Sequence, residues 1–434
     1  MPLKLLAASC CAALMLAAFP ARGADEPAPL LQPLLESRRA IFLGDSITHA
    51  GDYVEFFVTY LRLRHPSSTV EILNLGLPSE TVSGLSEPGH AGGAFPRPDL
   101  HERLNRVLEK TKPDWIFACY GMNDGIYHPF SEERFEAFQS GIRRLREQAE
   151  AAGARVVHLT PPTFDSVPLK GRTLGPGLDE YRQPFEGYNQ VLDRYSEWLV
   201  AQRTNGWEVI DIHTPMNEFL AAQRQADPKF QLAGDGVHAN AQGHWLIARE
   251  ILRRLGAPEE IVSAEDGRTL LASAPRAADV HKLVQVRQRL LKDAWLAEVG
   301  HLRPGMNKGK PLAEAQIEAL ALNRRIDSLL GVRGPVDENG RPHIRKLGTI
   351  DLDLVEATPI VLNGRLWRFE WVRQGLGQQY WDNRRDTNYF RFRDPETGET
   401  TPDFAEGHEF GSAFVHDNAV YVTGTLGRSR INMF

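Results

Sequence analysis

The sequence predicts an α/β protein built on a doubly wound parallel sheet, followed by a helical stretch and a small antiparallel β region. Three observations lead there. Five short apolar runs, each bounded by Gly, Pro or Asp, alternate with five amphipathic stretches, the pattern of strands buried on both faces and joined by crossover helices. The stretch that follows is charged and helical in texture. Beyond Gly331, aromatic runs are separated by Asn-Gly, Thr-Gly and Asp-Asn turns, which read as antiparallel hairpins.

Residues 1–24 have the layout of a secretory signal peptide: Lys4, an apolar run from Leu5 to Phe19, Pro20, and small residues around Ala21 to Ala24. The run is roughly 15 residues, short of the ~20 that span a bilayer. The expectation is therefore a secreted or periplasmic chain, cleaved near Gly23 or Ala24, with no membrane span. Residues 25–37, Pro-rich from Asp25 to Pro33, read as a tether.

Residues 38–258 carry the alternation. Predicted strands are Ala40–Leu43, Val70–Leu73, Trp115–Cys119, Val156–Leu159 and Val209–Ile212; predicted helices are Tyr53–Arg64, Leu100–Glu109, Glu132–Ala152, Gly187–Gln202 and Gln242–Leu255. Ser131, followed by Glu132 and Glu133, suits the positive end of the third helix as its N-cap. Residues 259–332 form a helical extension, interrupted by the insert His301–Leu312; its last helix, Ala313–Leu330, begins just past Pro311. Residues 333–434 are β-rich. The part from Leu347 onward would make about two propeller blades at ~40–45 residues each. Two blades cannot close a ring, so a region cut short within a larger β domain is expected, with a small sandwich-like appendage as the alternative.

Composition narrows the function classes. A chain of 434 residues, 42% apolar and 24% charged, is globular and holds two or three domains. Fifty Lys and Arg against 56 Asp and Glu give a net charge of −6, without the basic excess usual in nucleic-acid binding. Of three cysteines, Cys10 and Cys11 fall in the leader. Cys119 lies in the apolar run WIFACYG, where packing is the expected role and not nucleophilic attack.

Four short motifs fall at strand ends or before a helix: GDSIT (Gly44–Thr48), NLG (Asn74–Gly76), GMND (Gly121–Asp124) and GDGVH (Gly234–His238). A serine at a strand-to-helix junction sits exposed near backbone N–H groups. A glycine after a strand lets backbone approach a ligand closely. An amide side chain donates without titrating. Asp235 and His238 are three apart, so the carboxylate can hold one ring nitrogen while the other faces Ser46. Taken singly, each has a plainer account: Ser46 as a helix cap, Gly76 and Asn123 as turn residues, Asp235 and Gly236 as a turn, and Asp124 as a structural cap.

The set and its order resemble the SGNH (GDSL-type) hydrolase superfamily over roughly Arg38 to Leu255. That resemblance implies a three-layer, flavodoxin-like α/β/α fold, with Ser46 as nucleophile, His238 as general base and Asp235 orienting the ring. It also implies an oxyanion hole from the Ser46 and Gly76 N–H groups and the Asn123 amide. A serine hydroxyl needs a neighbouring base to become nucleophilic, and imidazole titrates in the range that suits this. No cofactor is expected. A metal site of His238, His244 and Asp235 finds no second ligand cluster, so no metal is expected either.

The implied activity is serine ester hydrolysis. Export, the lack of a long apolar segment to admit a fatty chain, and the aromatic β region point to removal of small acyl groups, acetyl first, from carbohydrate. The β region is also similar to blades of glycosidase-type propellers. Alternatives are a lipase or lysophospholipase of the same superfamily, a catalytically silent carbohydrate-binding protein and a metal-dependent phosphodiesterase. Trp367, Phe369, Trp371, Trp381, Tyr389 and Phe390 could stack on sugars, although strand aromatics usually pack a core. The loop Leu77–Gly93 is expected to be long, flexible and polar. The insert with His301, Arg303 and Lys308 could reach back over the sheet, but a solvated turn is the first expectation.

Overall fold

The computed structural model describes residues 30–332, 354–362, 364–373, 388–395, 397–417, 419–426 and 431–434. The expected signal peptide and Trp381 lie outside the described residues.

Five strands form one parallel sheet: β1 (Arg39–Gly44), β2 (Glu71–Asn74), β3 (Trp115–Cys119), β4 (Arg155–Leu159) and β5 (Glu208–Ile210), in the order β2-β1-β3-β4-β5. This is the flavodoxin-like order. The chain turns to opposite sides of β1 when it adds β2 and then β3, and the crevice beyond their carboxyl ends is where ligands bind in such sheets. β3 is buried along its whole length, as expected of a central strand with helices on both faces. Phe42 of β1 stacks on Phe117 of β3 at 4.8 Å and meets Tyr53 and Phe57 edge-on.

The helices are α1 (Leu31–Leu35), α2 (Ser46–Ala50), α3 (Asp52–Arg64), α4 (Leu100–Thr111), α5 (Glu132–Ala151), α6 (Tyr188–Ala201), α7 (His213–Ala226) and α8 (Ala241–Arg254). α4 packs on α5, and Phe138 of α5 stacks on Tyr195 of α6 at 4.5 Å. α3 packs against α8. Ser131 caps α5 by accepting from the Arg134 N–H. The α/β/α layering therefore matches the sequence prediction, and helix ends move by a residue or two.

Three local differences have physical causes. The fifth strand stops at Ile210, because the N–H groups of Ile212 and His213 turn to the Thr160 hydroxyl at 2.8 and 2.9 Å. α7 then begins immediately, with Pro215 in its first turn, where a missing N–H costs no intrahelical bond. Within the expected tether, Leu30 and Leu34 are buried against the core, and residues 31–35 coil into α1.

The extension comprises α9 (Glu259–Val262), α10 (Arg268–Ala272), α11 (Ala277–Val299) and α12 (Leu312–Leu330), with Pro311 as the N-cap of α12. Its apolar residues, including Val284, Leu291 and Trp295, join the same hydrophobic core as the sheet. α11 lies along α3 and β2, and Gln288 Nε2 donates to the Ile72 carbonyl at 3.2 Å. The edge strand is thereby covered, which removes a template for unwanted strand pairing.

Toward the C-terminus, β6 (Leu354–Leu362), β7 (Arg365–Arg373) and β8 (Asn388–Arg393) make one antiparallel sheet; β9 (Glu409–His416), β10 (Ala419–Thr425) and β11 (Ile431–Met433) make another. They share a small core of their own, centred on Phe369, Trp371 and Phe390.

Candidate active site

β1 ends in Gly44-Asp45-Ser46. A side chain on Gly44 would lie 2.2 Å from Thr48 Oγ1 and 2.6 Å from the Cys119 carbonyl, so only glycine lets β1 pass β3 here. Asp45 then caps α2, its Oδ1 accepting from the Ile47 N–H at 2.9 Å. Ser46 is thus the first residue of the helix and not its cap. Its own N–H makes no hydrogen bond among the described residues, as is usual for the first donors of a helix.

His238, 192 residues later, places Nε2 at 2.8 Å from Ser46 Oγ. Its Nδ1 donates to Asp235 Oδ2 at 2.6 Å, and Asp235 Oδ1 accepts from the N–H groups of Val237 and His238 at 3.0 and 2.8 Å. With Nδ1 keeping its proton and directing it at the carboxylate, Nε2 is left as acceptor for the serine proton. Partial burial raises the Asp235 pKa, but the ring and backbone donors outweigh it and hold the carboxyl below its usual value. The tight turn that makes this possible passes through Gly236 at φ +79°, where a side chain would strike the Asp165 carbonyl at 2.4 Å.

The structure brings Ser46, Asp235 and His238 together. It uses Gly76 differently from the expectation. The Gly76 N–H donates to Asn74 Oδ1 at 2.9 Å, and Asn74 Nδ2 in turn donates to the Thr48 carbonyl at 2.6 Å. A side chain at Gly76 would sit 2.4 Å from the His49 nitrogen. Gly76 therefore lets the β2 exit pack against α2, and its N–H is already spent. The loop is tied next to β1 by the Leu77 N–H, which donates to the Gly44 carbonyl at 2.8 Å. A turn closes from the Glu80 N–H to the Leu77 carbonyl at 3.2 Å, with Pro78 and Ser79 at its corners. Ser79 has φ +70°, so this is a type II turn held by a non-glycine residue. Its N–H makes no hydrogen bond among the described residues.

Asn123, after β3, donates from Nδ2 to the Glu80 carbonyl at 3.1 Å and accepts from Tyr127 Oη at 3.0 Å. The amide is thereby oriented with one Nδ2 hydrogen left over. Asp124 accepts from the N–H groups of Val82, Ser83 and Gly121 at 2.8–2.9 Å, which agrees with a structural role. The Ser79 turn thus lies between the segments that carry Ser46 and Asn123.

The expectation of a flexible loop at Leu77–Gly93 does not fit the bonds found there. Glu80 is fully buried and forms a two-pronged ion pair with Arg103 at 2.7 and 2.8 Å, and also accepts from Tyr120 Oη. Glu87 grips Arg97 in the same way at 2.6 and 2.7 Å. Nor is the His301–Leu312 insert a purely solvated turn: Arg303 Nε donates to the Pro78 carbonyl at 3.0 Å and the guanidinium lies 5.2 Å over Phe95. These partners are distant in sequence, and only their burial identifies them.

His244 is buried beside Tyr53, with its pKa pushed down to about 4 by burial. Among the described residues no cluster of three or more His, Cys, Asp or Glu could hold a metal ion. Burial pushes the Cys119 thiol well above its usual pKa, consistent with packing. Phe369, Trp371 and Phe390 are buried within the β region, which leaves them no face for a sugar. No helix among the described residues is long and apolar enough to cross a membrane.

A flavodoxin-like α/β/α sheet thus carries, beyond the carboxyl end of β1, a serine, a histidine and an aspartate in hydrogen-bonded sequence. Residues 42–246 match the GDSL-like lipase/acylhydrolase family, and the α/β part of the chain belongs to it. An acetylxylan esterase from Geobacillus stearothermophilus is 24% identical over 239 residues, which cover 50% of this chain and 94% of that protein. Among solved structures, a gut microbial diltiazem-metabolizing enzyme shares 24% identity with a TM-score of 0.40; the match covers 53% of this chain and about half, 48%, of that one. Axe2, an acetylxylan esterase from Geobacillus stearothermophilus, shares 21% with a TM-score of 0.39, over 51% of this chain and 95% of that one.

Proposed function

We propose that this protein is an exported serine esterase that removes small acyl groups, acetyl foremost, from carbohydrate. The observation that carries the reading is the relay from Ser46 Oγ to His238 Nε2 at 2.8 Å and from His238 Nδ1 to Asp235 at 2.6 Å. Family membership supports ester hydrolysis. The acetylxylan esterase relative supports the acyl group and the carbohydrate, and the N-terminal sequence supports export.

Ser46 Oγ attacks the acyl carbon as its proton passes to His238 Nε2. Asp235 fixes the tautomer and stabilises the imidazolium that forms. The carbonyl oxygen takes up the negative charge and is met by the Ser46 N–H, the Ser79 N–H and the spare Asn123 Nδ2 hydrogen, the donors this site leaves unspent. Collapse of the tetrahedral intermediate breaks the ester C–O bond, and the departing sugar oxygen takes the proton from His238 and leaves as a hydroxyl. Water then repeats the sequence on the acyl-enzyme and releases the acid. Pre-aimed donors of this kind contribute heavily, since losing one costs about 10²–10³ in turnover.

The test is acetate release from acetylated xylan and xylooligosaccharides, beside a chain-length series of p-nitrophenyl esters. Rates that fall beyond butyrate support acetyl removal. Rates that rise favour a lipase-type esterase. A Ser46→Ala variant that still hydrolyses at the original rate would refute the assignment.

A further inference from the structure

We infer that Arg303, contributed by the helical extension, is a positioning residue that holds the Pro78–Ser79 peptide in the orientation presenting the Ser79 N–H to the reacting oxygen. The inference rests on the esterase reading and deepens it.

In a trans peptide the carbonyl and the N–H of one unit point in opposite directions. The Pro78 carbonyl and the Ser79 N–H belong to one such unit. Its oxygen end is occupied by Arg303 Nε at 3.0 Å, and its N–H end makes no hydrogen bond among the described residues. A cation on the oxygen draws electron density through the amide and strengthens the opposite N–H as a donor, the cooperative polarisation seen in hydrogen-bond chains.

Orientation matters as much as strength. A Pro-Ser pair at the corners of a turn suits type I, whereas type II demands positive φ at the second corner and favours glycine there. Ser79 nevertheless stands at φ +70°. Rotation of this one peptide would convert the turn to type I and swing the N–H away from the crevice. Arg303 opposes that rotation because the rotated carbonyl would leave it.

The arginine is itself fixed. Its Nη1 donates to the Pro304 carbonyl at 2.9 Å and contacts Met306 Sδ at 3.3 Å, and its plane covers Phe95. It forms no ion pair among the described residues, so its charge is not neutralised by a carboxylate. The extension therefore does more than cover the sheet edge: it supplies part of the support of the site.

Three variants test this by kinetics on p-nitrophenyl acetate and by crystallography. Arg303→Ala is expected to lower kcat by about 10-fold or more, up to the 10²–10³-fold of outright donor loss, with KM changed little. Adding Ser79→Gly to that variant is expected to recover most of kcat, because glycine holds positive φ without help. A crystal structure of Arg303→Ala is expected to show Ser79 at negative φ. Arg303→Gln keeps a donor without the charge and should give an intermediate kcat; it also serves if the alanine variant does not fold. An unchanged kcat in Arg303→Ala, a loss that Ser79→Gly does not repair, or a turn that stays type II without Arg303 would each overturn the inference. A wild-type protein without ester hydrolysis would instead count against the esterase reading, and the crystallographic readout on the turn would still decide the role of Arg303.

Discussion

At the scale of single residues, the aspartates around Ser46 do opposite things. Asp235 is half exposed, and the His238 ring and backbone donors that surround it keep it ionised. Ser46→Ala should lower turnover by at least about 10³, and Asp235→Asn by a large but smaller factor, within about 10²–10⁴, because an amide there favours the wrong ring tautomer. Stopped-flow or steady-state rates on p-nitrophenyl acetate check both, with circular dichroism to establish folding. Asp45 is the contrary case. It is buried, and burial, with the nearby Asp124, raises its pKa to about 7 despite the Ile47 N–H it accepts. The unfolded chain releases this proton near 3.8, so between about pH 4 and 7 the native state binds more protons and stability falls as pH rises. Asp45→Asn keeps an acceptor for Ile47 and removes the titration. Its Tm should therefore gain on the wild type as pH climbs through that window. A difference that is constant with pH would show that Asp45 is not the group responsible.

At the scale of elements, strands and amphipathic helices were legible because their periodicity is local. α7 was not, because Thr160 truncates the preceding strand through contacts some 50 positions away. The meeting of Ser46, Asp235 and His238 was legible because each sits in a short motif at a strand end or before a helix. The turn proposed as a donor was not. Gly76 is the glycine that stands out in the sequence, yet the free N–H belongs to Ser79, and what distinguishes them is a backbone angle and an occupied bond. Helix α5 supplies a test at this scale. Gly141 lies mid-helix, where alanine would gain about 1 kcal/mol by propensity alone. A side chain there would, however, come within 2.0 Å of the Val82 carbonyl, the segment whose N–H groups Asp124 holds. Overpacking of this kind costs about 1–3 kcal/mol. Gly141→Ala is therefore expected to lower the urea midpoint and to slow turnover by displacing the loop that follows Ser79. A stabilised variant would mean that α5 can retreat freely from that loop.

At the scale of the whole molecule, one hydrophobic core runs from Leu30 through the sheet to Ile326, so titrations buried anywhere along it bear on the same packed body. Two sets oppose each other. Burial raises the carboxyls of Asp45, Glu55, Glu80 and Asp124, which weakens the fold as pH rises out of the acid range. Burial also lowers His49 and His158 to about 3, and His244 and His281 to about 4. For these the unfolded chain takes up protons below about 6.5 while the native state does not, so stability falls as pH falls. The opposing slopes overlap between about pH 4 and 6.5, and removing one member should tilt the balance. His158 is the cleanest member to remove. It lies on β4, fully buried, with neither ring nitrogen hydrogen-bonded and its ring stacked on Trp207 at 5.2 Å. His158→Phe keeps the stack and abolishes proton uptake. Relative to the wild type, its urea midpoint should gain little between about pH 7 and 8 and progressively more as pH drops from about 6.5 toward 4. An equal gain at about pH 7.5 and about pH 4.5 would mean that packing, and not protonation, governs that position.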